Sequence, residues 1–126
     1  MLMNVLHVAI GGALGAALRY LTGTGIIRIF GHTGFPFSII LVNVVGSFVM
    51  GFFVVAAAKH GLTQFSALIA TGFLGGFTTF SAFSLETIVL IERGHLTHAA
   101  IYVTLSVCLS VGALALGLWT ARSLWI

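Results

Sequence analysis

Polar residues in this chain gather into short clusters, with four long apolar stretches between them. The stretches cover residues 5–21, 37–58, 65–91 and 99–119. A membrane-spanning helix needs roughly 20 predominantly apolar residues, and each stretch is near that length or longer. The connectors, 22–36, 59–64 and 92–98, are short, so nothing is left over for a soluble domain. Backbone amides and carbonyls in lipid must find partners within the protein, which favours helices. The stretches are too long and too uniformly apolar for barrel strands. The pattern predicts an all-α integral membrane protein, a single domain of four transmembrane helices over residues 1–126.

The third stretch is not uniform. Gly72, Gly75, Gly76, Thr78, Thr79, Ser81 and Ser84 stand in its middle. Two consecutive glycines followed by two β-branched threonines weaken a helix. The third helix is therefore expected to break mid-membrane, within residues 75–79. A break frees carbonyls and amides that protein, water or an ion must satisfy. Glycines also permit close helix packing, and Gly72-x-x-x-Gly76 and Gly11-x-x-x-Gly15 both have that spacing. Packing is the reading adopted for Gly11 and Gly15, and a functional break for residues 75–79.

Composition points the same way. Apolar residues make up 60% of the chain and charged residues 6%, where a soluble domain carries about 25%. The basic residues Arg19, Arg28, Lys59, Arg93 and Arg122 are scattered singly. That is a membrane-flanking pattern, not a nucleic-acid patch. Residues 1–4 carry no Lys or Arg and no convincing cleavage site precedes Arg19, so the first stretch is expected to remain in the mature protein. Cys108 stands alone in an apolar run, without a disulfide partner or the companions of a zinc site. It is expected to be a small buried side chain.

Charge does not orient the chain. With loops on alternating sides, Lys59 and Arg122 share one side with the N-terminus. Arg28 and Arg93, with or without Arg19, share the other. Two against two or three gives no clear direction. Either the signal is weak, or copies insert both ways and pair as an antiparallel dual-topology homodimer. Four helices of this size enclose little interior space, which favours a second copy for any pore or carrier.

Several polar positions are candidates for function. Asn43 and Ser47 lie one turn apart on the second helix. His98, Tyr102, Ser106 and Ser110 recur every four residues on the fourth, a slowly drifting stripe. Such a stripe can be a hydrated ion path or a seam of interhelical hydrogen bonds. Phe77, Phe80 and Phe83 are spaced by three on the third helix. They serve either as packing or as rings whose electropositive edges face an anion. Glu86 is an acid within a span, and intramembrane ionisable residues are functional candidates. Arg19, near the end of the first helix, either snorkels to the interface or makes a structural hydrogen bond. No enzyme constellation is present: the chain has no Asp, no Gly-x-Ser-x-Gly elbow and no phosphate loop.

Three motifs carry a resemblance. The run from Gly72 to Glu86, GFLGGFTTFSAFSLE, is similar to the third-helix signature of the Fluc (CrcB) fluoride channels. GGALGAALRY, from Gly11 to Tyr20, and NVVGSF, from Asn43 to Phe48, resemble that family's first- and second-helix motifs. The likeness covers essentially the whole chain, in order. It implies an antiparallel dual-topology homodimer in a bacterial inner membrane, with two fluoride pores. It also implies that Phe80 and Phe83 are pore phenylalanines, and that Asn43 and Ser81 line the pore. Tyr102, Ser106 and Ser110 would form a polar track, with Leu114 one turn beyond its end. Glu86 would be a vestibule acid, and Arg19 structural. The backbone carbonyls of Gly75 and Thr78 would hold one structural sodium ion on the dimer axis.

The expected function is passive fluoride export. Neutral hydrogen fluoride crosses membranes, ionises in the cytoplasm and is trapped there as the anion. A rival class, the proton-coupled small multidrug transporters, shares four helices and dual topology. Those proteins place a carboxylate deep in the first helix, where this chain has none. A purely structural membrane subunit is the remaining alternative.

Overall fold

The computed structural model describes residues 1–125, and it is helical from end to end. Helix α1 spans Leu2–Phe30 and α2 spans Phe37–His60. A single 3-10 turn at Thr63–Phe65 leads into a π-helical segment, Ala67–Leu74, and then directly into the short α3, Gly75–Phe77. After two extended residues the chain resumes as α4, Phe80–Glu92, and ends in α5, Leu96–Leu124. No strand occurs among the described residues. Four helical stretches are long and apolar enough to cross a membrane: Leu2–Phe30, Phe37–His60, Thr63–Glu92 and Leu96–Leu124. At about 1.5 Å per residue, α1 and α5 each exceed the roughly 30 Å hydrocarbon core, so their ends reach beyond it.

Helix α1 runs further than its sequence suggests. Residues 22–30 were expected to lie in the first connector, because Thr22, Gly23, Thr24 and Gly25 break the apolar run. The helix absorbs them. The Thr22 and Thr24 hydroxyls donate to the carbonyls of Leu18 and Tyr20, each four residues back, so neither leaves an unpaired polar group on the helix surface. The chain turns only at Gly31 and Gly34, both at positive φ, where glycine carries no Cβ penalty.

Two pairs of helices make up the body. Helix α1 packs on the π-helical segment and α3, while α2 packs on α5, with α4 leaning against α5. Glycines set both spacings. A Cβ on Gly15 would collide with the Phe73 carbonyl oxygen, and one on Gly11 with that of Leu68. The Gly11–Gly15 spacing thus serves packing, as expected. On the other pair the contact is reciprocal. Gly51 of α2 lies on the backbone at Leu114, and Gly117 of α5 lies on the backbone at Phe48. A single methyl at either position would drive the helices apart.

One buried cluster joins Leu90, Ala99 and Tyr102, with Phe35, Ile39, Ile40 and Phe83 packed around them, and Val42, Leu74 and Phe77 are buried as well. Most large apolar side chains are exposed in the single chain, as lipid or a second copy would require. Cys108 is among the exposed residues, which corrects its expected burial. On a regular helix it falls on the side of α5 opposite Ser106 and Ser110.

Candidate functional site

The interruption of the third span is built by redirected hydrogen bonds. In a regular helix each N–H closes on the carbonyl four residues back. The π-helical turns before the break close five residues back instead, the Gly75 N–H reaching the Ala70 carbonyl. At Thr78 the four-residue closure is in place, its N–H and hydroxyl both donating to the Leu74 carbonyl, at 3.0 and 2.8 Å. Beyond it two donors are diverted. The Thr79 N–H turns away from the Gly75 carbonyl and donates to Asn43 Oδ1 at 2.8 Å. The Ala82 N–H turns away from the Thr78 carbonyl and donates to Thr79 Oγ1 at 3.1 Å. Thr78 and Thr79 are extended, and Thr79 acts as the side-chain N-cap of α4.

The break therefore lies at the threonines, not at the glycines, which stay helical in α3. Among the carbonyls of residues 75–78 that lose their helical donors, Gly75 and Thr78 are the pair expected to face a cation. The intervening Gly76 carbonyl is already engaged, accepting from Arg19 Nε at 3.1 Å. Arg19 thus makes a structural hydrogen bond to the break. Asn43 completes its grip on Thr79 by donating from Nδ2 to the Thr79 carbonyl at 3.1 Å. One of its two amide hydrogens remains uncommitted.

Helices α2, α4 and α5 and the break border an open groove of about 330 Å³. Asn43, Phe80, Phe83, Ser106 and Ser110 all line it, together with Thr78 and Thr79. Met50 and Leu114 also line it, Leu114 one turn past Ser110. None of the lining residues is charged. The rings of Phe80 and Phe83 are 5.5 Å apart at 46°, and Phe83 lies 5.3 Å from Tyr102 at 36°. Phe80 is 77% exposed, so its ring is free on the open side. Phe77 does not share this surface. The extended residues between it and Phe80 turn it to the other side, where it is buried and stacked on Phe73.

The stripe on α5 is a row of unsatisfied hydroxyls. Tyr102 is 0% exposed, and its OH has no partner within the chain. The Ser106 and Ser110 hydroxyls are equally buried and unpartnered. A buried hydroxyl without a hydrogen bond costs about 1–3 kcal/mol by protein mutational measures. The three stand in successive turns of α5, an array of donors with no acceptor in the chain.

The remaining candidates lie apart from the groove. Ser81 is exposed on the first turn of α4, its Oγ 3.3 Å from Thr79 Oγ1. Gly75 is exposed in the single chain. Glu86 lines a second recess of about 260 Å³, with His32, Ser38 and Arg93, under the loop between α1 and α2. Two participants escaped the sequence reading. Thr79, read in the sequence only as a helix-weakening residue, caps α4 through its side chain, threonine being a favoured N-cap residue. Phe35 sits in a loop, and its ring meets Tyr102 edge-on at 5.7 Å.

Comparison with known proteins adds a family to this geometry. Residues 6–118 match the model of the family described as CrcB-like protein, Camphor Resistance (CrcB). The chain is 57% identical over 122 residues to the fluoride-specific ion channel FluC of Ruegeria sp. (strain TM1040), covering 97% of both chains. It is 57% identical over 124 residues to the protein of the same name from Roseobacter denitrificans, covering 98% of both. The Cereibacter sphaeroides (strain ATCC 17029) FluC is 52% identical over 122 residues.

Proposed function

The chain belongs to the CrcB family, and from that premise we propose that it is a fluoride-specific channel, a multi-pass protein of the bacterial inner membrane that lets fluoride leave the cytoplasm passively. It is an ion channel and not an enzyme. The observation that carries the reading is the row of unpartnered hydroxyls at Tyr102, Ser106 and Ser110 beside the Phe80–Phe83 pair. Fluoride is small and strongly hydrated, and giving up its water demands replacement donors. Hydroxyls and the spare amide hydrogen of Asn43 supply donors without a fixed cation that would hold the anion too tightly. The electropositive ring edges of Phe80 and Phe83 add attraction with no competing proton.

The functional unit is an antiparallel dual-topology homodimer with two pores. Supporting this are the even charge distribution, the open side of the groove and the exposure of Phe80 and Gly75 in the single chain. A second copy would close the groove and bring the two breaks together, with the interruption of the third span at mid-membrane. The Gly75 and Thr78 carbonyls, released from their helical donors, suit a monovalent cation. Two from each copy would give four oxygens, with no carboxylate of the kind a divalent ion recruits. A structural sodium ion on the dimer axis fits this donor set, and its charge would raise the local potential for an anion. Ser81 borders the same region, and Glu86 lies in the outer vestibule.

The test is fluoride efflux from liposomes holding the purified protein, followed with a fluoride electrode. Efflux driven by the fluoride gradient, clamped by potassium and valinomycin and without proton coupling, is the expected result. Proton-coupled release of an organic cation in its place would transfer the protein to the multidrug transporter class, although α1 carries no carboxylate.

A further inference from the structure

Five histidines occur in the chain, and the anion pathway uses none of them. Two, His95 and His98, lie together where α4 turns into α5. The turn fixes their backbone. Gly94 adopts φ 80°, the His95 N–H donates to the Leu90 carbonyl at 2.9 Å, and the His95 carbonyl accepts from the Ala99 N–H at 2.9 Å. With His95 pinned as the N-cap and His98 in the first turn, the side chains fall on one face. Both are exposed. Their ring centroids lie 5.4 Å apart at an interplanar angle of 50°. Two imidazoles sharing a tetrahedral ion, with metal–nitrogen bonds of about 2.0–2.1 Å, place their centroids about 5.2 Å apart. The rings already stand at nearly that separation.

The pair also stands at the end of the hydroxyl stripe. His98 is one turn before Tyr102, and its ring meets Phe35 edge-on at 6.4 Å. Phe35 in turn meets Tyr102 at 5.7 Å. We propose that His95 and His98 form a two-imidazole site for a divalent transition metal at the mouth of the stripe, and that a bound ion obstructs the anion there. Imidazole selects zinc, nickel and copper over magnesium and calcium. No third His, Cys, Asp or Glu joins the pair among the described residues, so water completes the coordination shell. A fixed divalent charge holds an arriving anion instead of passing it on, and conduction needs weak binding. The obstruction rests on the channel reading above, whereas the metal site does not.

The test uses full-length protein without an affinity tag. Calorimetric titration with zinc or nickel chloride in fluoride-free buffer is expected to show one ion per chain. Either His95→Gln or His98→Gln should weaken it at least tenfold. Copper(II) bound to the wild type should show hyperfine coupling to two nitrogens. Absent binding, or binding that both variants leave unchanged, overturns the site. In liposomes, saturating zinc is expected to slow wild-type fluoride efflux severalfold, while His95→Gln keeps its metal-free flux and loses the zinc effect. Full efflux with the site filled overturns the obstruction. A wild type that passes no fluoride even without metal would instead refute the channel reading, with the titration still deciding the site.

Discussion

Replacing Asn43 by alanine removes the side chain that holds the third span open. Thr79 then loses the acceptor for its N–H and the donor to its carbonyl, at 2.8 and 3.1 Å. Thr79 is only 9% exposed, so water does not readily replace them. Each lost hydrogen bond is worth about 0.5–1.5 kcal/mol net, and each buried group left unpaired costs about 1–3 kcal/mol. Two orphaned groups would cost about 2–6 kcal/mol. The chain has one partial escape: the Thr79 N–H can return to the Gly75 carbonyl, its regular helical acceptor. That would recover one bond, occupy the carbonyl assigned to the cation, and leave a net loss of about 1–3 kcal/mol. The expected outcome is a lowered thermal unfolding temperature in detergent, with a smaller dependence on sodium than the wild type. Fluoride efflux should fall at least tenfold. Asn43→Asp keeps the acceptor but sets a carboxylate oxygen against the Thr79 carbonyl, so its flux should fall too. An alanine variant with wild-type unfolding, sodium dependence and flux would refute the clamp.

Ser106→Ala and Ser110→Ala separate pathway from scaffold. Their hydroxyls have no partner in the chain, so stability should be unchanged or slightly raised, while efflux falls. A stability loss above about 1 kcal/mol would mean that they bond across an interface instead. Phe83→Ile, like Phe80→Ile, should cut efflux roughly tenfold or more while gel filtration still shows the proposed dimer, because the aliphatic chain fills space but has no electropositive edge. Unchanged flux in both returns the rings to packing. Two lysines added at one terminus should bias insertion and silence the protein expressed alone. Co-expression with an oppositely biased copy should restore fluoride resistance, and normal conduction by the biased variant alone would exclude dual topology.

Length and hydropathy are local properties, and they made the four spans legible from composition alone. The features that escaped are those settled by partners distant in sequence. The glycine pair was the obvious weak point of the third span, yet Gly75 and Gly76 remain helical. Within the expected 75–79, the break falls at Thr78 and Thr79, where Asn43, 36 residues earlier, accepts from the Thr79 N–H. Nothing in the local propensity of residues 75–79 encodes that contact. The same break explains Phe77, which the three-residue spacing joins to Phe80 and Phe83 and the extended threonines separate. The stripe on α5 was readable because α5 is regular, so a four-residue spacing carried straight into space. The expected first connector is shorter than its polar residues suggest, because Thr22 and Thr24 sit within the helix with their hydroxyls satisfied by the carbonyls of Leu18 and Tyr20.

The grip of Asn43 on Thr79 also sets an order of assembly. Helix α2 leaves the ribosome before the third span and can already be in the bilayer when Thr79 arrives. The template for the irregular backbone thus precedes the backbone that needs it. A chain rearranged so that the third span were synthesised first would carry an uncapped amide and carbonyl into hydrocarbon, at several kcal/mol for each unsatisfied group. Until α2 followed, that span's lowest-energy state would be an unbroken helix, with the Thr79 amide returned to Gly75. The mature shape would then have to be reached by melting a finished turn inside the membrane. The native order of helices avoids that barrier altogether.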